Sequence, residues 1–274
     1  MLTRDEIKSF FQLENSHAKK ELGQNFLCNQ KTINEIVSLI DIKDKDSLLE
    51  IGPGLGALTN DLIGKTKDYT AVEYDAKFVD YLNRAYGDKN IKIIKNNILK
   101  YKDCNANKVI GNLPYYMTSD ILLYLALNYN NLEKAVLMMQ REAYKRITAK
   151  QGTKDYNALN IVLDYCYKIT ANMIVAKTSF FPMPQVDSVV LTFIKKDSCE
   201  RKLIRPLLIC TRAMFLNRRK TIFNNLNSLT KNKEKTNSIL EDLGFIPTLR
   251  AEQLTLKDFL NLTNVLLKLE IIKL

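Results

Sequence analysis

The stretch Glu50-Ile51-Gly52-Pro53-Gly54-Leu55-Gly56 constrains this chain more than any other part of it. It closes a short apolar run at 47–51 and opens a helical pattern at 58–63. Glycines between a strand and a helix let the backbone turn sharply and approach a ligand with no Cβ in the way. A second apolar run, 68–73, ends in Glu73, 21 residues after Gly52. A carboxylate at that point can accept both hydroxyl hydrogens of a ribose. The two runs predict a βαβ unit holding a nucleoside-containing cofactor at the carboxyl ends of its strands.

The same alternation continues along the chain. Ile33, Ile36, Val37 and Ile40 share one helical face. Further helices are predicted at 76–86, 119–128, 141–149 and 156–167, with strands at 91–95, 108–111, 135–139 and 186–194. Strands alternating with helices of about ten residues imply a mostly parallel, doubly wound α/β sheet. From 199 the strand signals vanish, and helices near 202–216, 219–227, 233–243 and 255–270 predict a small all-α domain. The expected division is an arm at 1–30, a cofactor-binding domain at 31–198 and a helical domain at 199–274.

Composition narrows the function classes. The longest apolar run, 121–127, is too short to span a membrane. The first residues lack an apolar core behind a basic start, so no secretory signal is expected. Five cysteines, with no Cys-x-x-Cys pair, argue against a disulfide framework or a metal site and for reduced thiols in the cytoplasm. The single histidine, His17, lies in a polar segment, which argues against histidine-dependent hydrolysis. Net charge is +11, and residues 199–274 hold 14 Lys/Arg against 7 Asp/Glu. A basic surface of that kind attracts polyanions, and Arg212, Arg218, Arg219 and Lys220 are the candidate phosphate contacts, along one or two helix turns.

The glycine loop alone leaves two cofactors open. Gly52-x-Gly54-x-x-Ala57 also fits the dinucleotide fingerprint. Glu50 favours S-adenosylmethionine: a carboxylate is awkward beside a pyrophosphate but comfortable near a sulfonium or ammonium. Asn112-Leu113-Pro114-Tyr115 follows the 108–111 strand, on the same edge as the glycine loop. It resembles the Asn/Asp-x-Pro-Tyr/Phe signature of methyltransferases acting on ring-conjugated amines. The lone pair of such an amine is delocalised into the ring. The Asn112 side-chain oxygen and the Leu113 carbonyl can take its two hydrogens and favour a pyramidal nitrogen. Pro114 stiffens the turn and has no competing N–H. Tyr115 can stack on the base.

Taken with Gln24-Asn25-Phe26-Leu27, the segment 180–188, Asn217-Arg218-Arg219-Lys220-Thr221 and Arg250-Ala251-Glu252, these motifs are arranged as in the KsgA/Erm family of ribosomal RNA adenine dimethyltransferases. The late segments resemble the KsgA branch. The resemblance implies a Rossmann-like class I methyltransferase fold with a seven-stranded sheet. It also implies transfer of methyl groups from S-adenosylmethionine to N6 of two adjacent adenosines in the 3′-terminal hairpin loop of 16S rRNA. The partner would be the immature 30S subunit, and the protein a monomer. By position, Asn25 and Leu27 would cover the cofactor, Gly52, Gly54 and Gly56 would approach it, Glu73 would bind its ribose, and Asn112 would lie beside it. Phe180 would form the second aromatic wall of the base pocket, with Phe181 as runner-up. Asn97 stands where the family usually has an acid that accepts from the cofactor's adenine amine; its amide oxygen can still accept. Four other readings stay open: a 23S rRNA methyltransferase of the Erm type, a DNA adenine methyltransferase, a non-catalytic assembly factor, and an NAD oxidoreductase.

Overall fold

A computed structural model describes residues 3–19 and 23–273; of the predicted arm, residues 1, 2 and 20–22 lie outside the described residues. The chain divides into two compact units: residues 1–144 with 168–195, and residues 145–167 with 196–274.

The first unit is built on a seven-stranded sheet. In chain order its strands are β2 (Ser47–Ile51), β3 (Asp68–Glu73), β4 (Lys92–Lys95), β5 (Lys108–Asn112), β6 (Lys134–Gln140), β7 (Tyr167–Val175) and β9 (Ser188–Lys195). The spatial order is β4-β3-β2-β5-β6-β9-β7. Strands β4 to β6 in that order pair in parallel, and β9 runs antiparallel to β6. Helices α3 (Thr59–Leu62), α4 (Ala76–Tyr86) and α5 (Thr118–Asn128) fall between the parallel strands, and α6 (Arg141–Ile147) follows β6. Chain order reverses between β2 and β5, and a doubly wound sheet binds ligands in the crevice at such a point. Helix α2 (Gln30–Ile40) turns Ile33, Ile36, Val37 and Ile40 into the core, as the periodicity predicts, behind an Asn29 cap that accepts from the Thr32 amide at 3.0 Å.

Four further elements are absent from those predicted from the periodicity. Helix α1 (Arg4–Leu13) lies in a segment that reads as polar. Thr3 and Glu6 form a reciprocal capping box, and Ile7 and Phe10 are buried against Phe26, Leu55 and Phe78. Burying a side chain of that size stabilises by roughly 1.5–3 kcal/mol. Strand β7 begins where the periodicity predicts the end of a 156–167 helix; helix α7 (Ala158–Cys166) is shorter. A two-stranded antiparallel ladder joins β1 (Phe26–Leu27) to β8 (Phe180–Phe181), pairing Leu27 with Phe180 and Phe26 with Phe181. This ladder anchors the segment just after Gly23 and Asn25.

The second unit is helical. It contains α7, α8 (Arg201–Met214), α9 (Ile222–Thr230), α10 (Lys233–Asp242) and α11 (Leu256–Lys268). Helices α7 and α11 both pack on α8. The division therefore places 145–167 with the helical unit, whereas the sequence pattern carries the first domain through to 198.

Candidate active site

The carboxyl ends of β2, β3, β4 and β5 open on a cavity of about 310 Å³, a size suited to a small molecule. Its lining includes Asn25, Leu27, Glu50, Gly52, Gly54, Glu73, Asn97 and Asn112. Eight of the nine predicted cofactor residues therefore meet in one place.

Gly56 is the exception. It does not line the cavity, and a Cβ there would lie 2.9 Å from the Tyr86 ring, so the missing side chain makes room for Tyr86. Gly54 sits at φ +58°, and a Cβ would press on Phe26 at 3.2 Å. Its amide donates to Glu73 Oε2 at 3.0 Å, while Glu73 Oε1 accepts from the Tyr74 and Asp75 amides at 2.7 and 2.8 Å. Burial pushes the Glu73 carboxyl above its ordinary range, and these three amides oppose that shift.

Glu50 is 1% exposed, and its Oε2 accepts from the Thr59 hydroxyl at 2.7 Å and from the Tyr69 hydroxyl. Burial pushes its pKa up to about 7, with the nearby Glu73 charge adding to the rise. Asp75 also lines the cavity, and the motifs do not single it out. It caps α4 through the Lys77 amide and accepts from Lys19 Nζ at 2.8 Å and Gln24 Nε2 at 3.1 Å. An Asp before a helical run is a cap signal that could have revealed it. Among the described lining residues there is no Lys, Arg or His. The lining carries three carboxyl groups, one of them paired with Lys19 from outside it, and no cation of its own, which favours a cationic, ribose-bearing ligand over a pyrophosphate.

Asn97 lines the cavity, but its Oδ1 already accepts from the Leu99 amide at 2.9 Å. That bond orients the oxygen and uses one of its lone pairs. Asn97→Asp keeps the cap and adds charge to the remaining lone pair. It is expected to tighten S-adenosylmethionine severalfold in a calorimetric titration; weaker or equal binding would mean that Asn97 does not meet the adenine amine.

The turn after β5 brings Asn112 and Pro114 to the cavity, whereas Leu113 and Tyr115 are not among its lining residues. The Leu113 amide donates to the Met138 carbonyl at 2.9 Å, and Pro114 holds φ −62°. Asn112 Nδ2 donates to the Asn25 carbonyl at 3.2 Å. Its Oδ1 is buried with no partner among the described residues. Such an orphan acceptor costs about 1–3 kcal/mol until a donor arrives. Tyr115 is half-buried with its hydroxyl 3.3 Å from Ser188 Oγ, while Tyr116 and Tyr74, both largely exposed, line the cavity. Nothing in the sequence pattern assigns those two.

Phe180 does not line this cavity. It is 1% exposed in a core cluster with Leu27, Ile33, Val175 and Val190. The ladder register explains this: Phe180 faces inward with Leu27, and Phe181 turns to the other face, with Lys8 Nζ 5.7 Å from its ring centre. Phe180→Leu removes three side-chain carbons from a buried site and is expected to cost about 1–3 kcal/mol of stability by denaturant titration, and to leave methyl transfer within a few fold. A hundredfold loss of transfer at unchanged stability would restore Phe180 as a stacking wall.

The candidate phosphate contacts lie in the second unit. Arg212 is exposed in the last turn of α8. Arg218, Arg219 and Lys220 sit in a turn between α8 and α9, and not on a helix as expected. Among the described residues no group of His, Cys, Asp and Glu could hold a metal ion, and no helix is long and apolar enough to cross a membrane.

Comparison with known proteins decides the family. The model of the family described as ribosomal RNA adenine dimethylase matches residues 15–268. The chain belongs to the ribosomal RNA adenine dimethylase family. It is 39% identical to ribosomal RNA small subunit methyltransferase A of Malacoplasma penetrans, over 93% of this chain and 94% of that one. With the protein of the same name from Lysinibacillus sphaericus it shares 38% over 90% of each. Among solved structures, a dimethyladenosine transferase from Plasmodium falciparum superposes with TM-score 0.76 at 26% identity, covering 89% of this chain and 98% of that one. The 23S rRNA methyltransferase ErmE shares the fold, with TM-score 0.64 at 20% identity over 87% of this chain and 98% of that one. The fold is thus that of class I methyltransferases, and S-adenosylmethionine is the cofactor.

Proposed function

We propose that this family member methylates N6 of two adjacent adenosines in the 3′-terminal hairpin loop of 16S rRNA, to the dimethyl state. It would act as a cytoplasmic monomer on the immature 30S subunit. The observation that carries the reading is the orphaned, buried Asn112 Oδ1 beside a cavity lined by carboxylates.

The residues have separable roles. Glu50 would face the cationic part of the cofactor, Glu73 its ribose, and Asn97 its adenine, while Asn25 and Leu27 would close over it. S-adenosylmethionine, when bound, supplies an electrophilic methyl on a positively charged sulfur. In the first transfer Asn112 Oδ1 and the Leu113 carbonyl would each accept one hydrogen of the target amine, and in the second, where one hydrogen remains, one of the two would. The nitrogen lone pair is thereby directed outward and no strong base is needed before attack; each N–C bond forms as the S–CH3 bond breaks with its electron pair left on sulfur, and the cationic nitrogen then gives its proton to water, with alignment supplying most of the acceleration. Pro114 stiffens the turn, and Tyr115 contributes a ring face to the base. The helical segment 199–274 would grip the RNA, with Arg212, Arg218, Arg219 and Lys220 as its cationic residues.

The deciding experiment supplies labelled methyl donor and the protein to small subunits lacking the modification, then identifies nucleosides by mass spectrometry. N6,N6-dimethyladenosine at two adjacent positions near the 16S 3′ end is the expected product. Label confined to 23S rRNA would favour the Erm-type reading, and unmodified adenines would leave only a binding role in assembly.

A further inference from the structure

The three consecutive cations Arg218, Arg219 and Lys220 are not equivalent. Arg218 is half-buried, with its guanidinium 5.5 Å from the centre of the Phe215 ring. Phe215 in turn stacks on Phe259 and meets Tyr156 edge-on. Arg219 and Lys220 are exposed, and none of the ion pairs among the described residues involves them.

The turn is also tied from below. Asn225, 2% exposed on α9, donates from Nδ2 to the Met214 carbonyl at 2.7 Å and to the Asn217 carbonyl at 3.2 Å. The Asn217 carbonyl accepts the Lys220 amide at 2.9 Å as well. One buried amide therefore links the end of α8 to the middle of the turn. A charged turn held this firmly loses little entropy when it meets a partner.

We propose that Asn225 is the positioning residue of a preformed RNA grip in which Arg219 and Lys220 meet phosphate and Arg218 is a strut. This rests on the reading that the helical unit contacts RNA. The sequence presents a basic cluster; the structure assigns two of its members to the ligand and one to the scaffold.

The test measures affinity of the full-length protein for unmethylated small subunits across a salt series. Arg219→Ala/Lys220→Ala is expected to weaken binding and to flatten the plot of log affinity against log salt by about 0.7–0.9 for each phosphate no longer neutralised. Asn225→Ala should weaken binding about tenfold and flatten the same slope, with S-adenosylmethionine affinity unchanged. In the Arg219→Ala/Lys220→Ala background Asn225→Ala should add nothing, because it acts through those cations. Arg218→Lys keeps the charge but loses the planar packing, and should behave like Asn225→Ala. Equal losses from Asn225→Ala in both backgrounds, an unchanged slope, or wild-type behaviour of Arg218→Lys would each overturn the grip. Unchanged affinity and slope in Arg219→Ala/Lys220→Ala would instead remove the RNA reading of the turn, and the grip with it.

Discussion

Asn112→Ala is expected to lower the rate of methyl transfer by about 10²–10³-fold, the usual cost of removing one preorganised hydrogen-bonding partner of a reacting group. Affinity for S-adenosylmethionine should change by less than about threefold, since Glu50, Glu73 and Asn97 hold that ligand. Stability should change by no more than about 1 kcal/mol, because deleting the unsatisfied oxygen offsets the loss of the Nδ2 bond to the Asn25 carbonyl. A single variant thus separates activity, which falls by orders of magnitude, from stability, which is nearly held. Single-turnover kinetics with saturating donor, calorimetry with the donor, and a thermal melt check the three statements. Transfer within tenfold of the wild type would show that Asn112 does not orient the amine. Transfer lost together with cofactor binding would place Asn112 among the cofactor's ligands only.

Asn112 is legible in the sequence because its meaning is local. The turn follows a strand, the strand lies beside the glycine loop in the sheet, and each step follows from short-range periodicity and turn chemistry. The same holds for Glu50, Glu73 and α2. Phe180 is not legible. Two adjacent phenylalanines must face opposite ways in a strand, and which one enters the core depends on pairing with Phe26 and Leu27, about 150 residues away. Gly56 misleads for a similar reason, since its crowding partner Tyr86 belongs to another helix. Strand β7 is an edge strand that leaves most of its residues exposed. It therefore lacks the alternation that marks a half-buried strand, and the preceding apolar run Tyr165-Cys166-Tyr167 prolongs the helical pattern. Helix α1 does carry a signal: Thr3 followed three residues later by Glu6 is a capping box, masked by its charged neighbours. In the helical unit, Arg218 reads as one more cation until its packing on Phe215 is seen.

Glu50 joins the electrostatics of the cavity to pH. Burial raises its folded pKa from 4.5 to about 7. A carboxyl raised in this way favours the fold while protonated. Its contribution is fully present below pH 4.5 and is lost as pH rises to about 7, a change on the order of 3 kcal/mol. Glu50→Gln keeps an acceptor for the Tyr69 and Thr59 hydroxyls and carries no charge. The variant should therefore melt at a higher temperature than the wild type at pH 8 and at nearly the same temperature at pH 4.5. A cationic ligand demands the opposite state of Glu50. Its binding below pH 7 must release a proton, so wild-type affinity for S-adenosylmethionine should fall by up to tenfold per unit as pH drops from 7 to 5. Glu50→Gln should bind tens of times more weakly at pH 8 and lose most of that slope. Calorimetry in two buffers of different ionisation enthalpy measures the proton directly. Identical apparent enthalpies at pH 6, or a slope that survives in the variant, would show that Glu50 is ionised before the ligand arrives and that its burial does not set the cofactor's pH dependence.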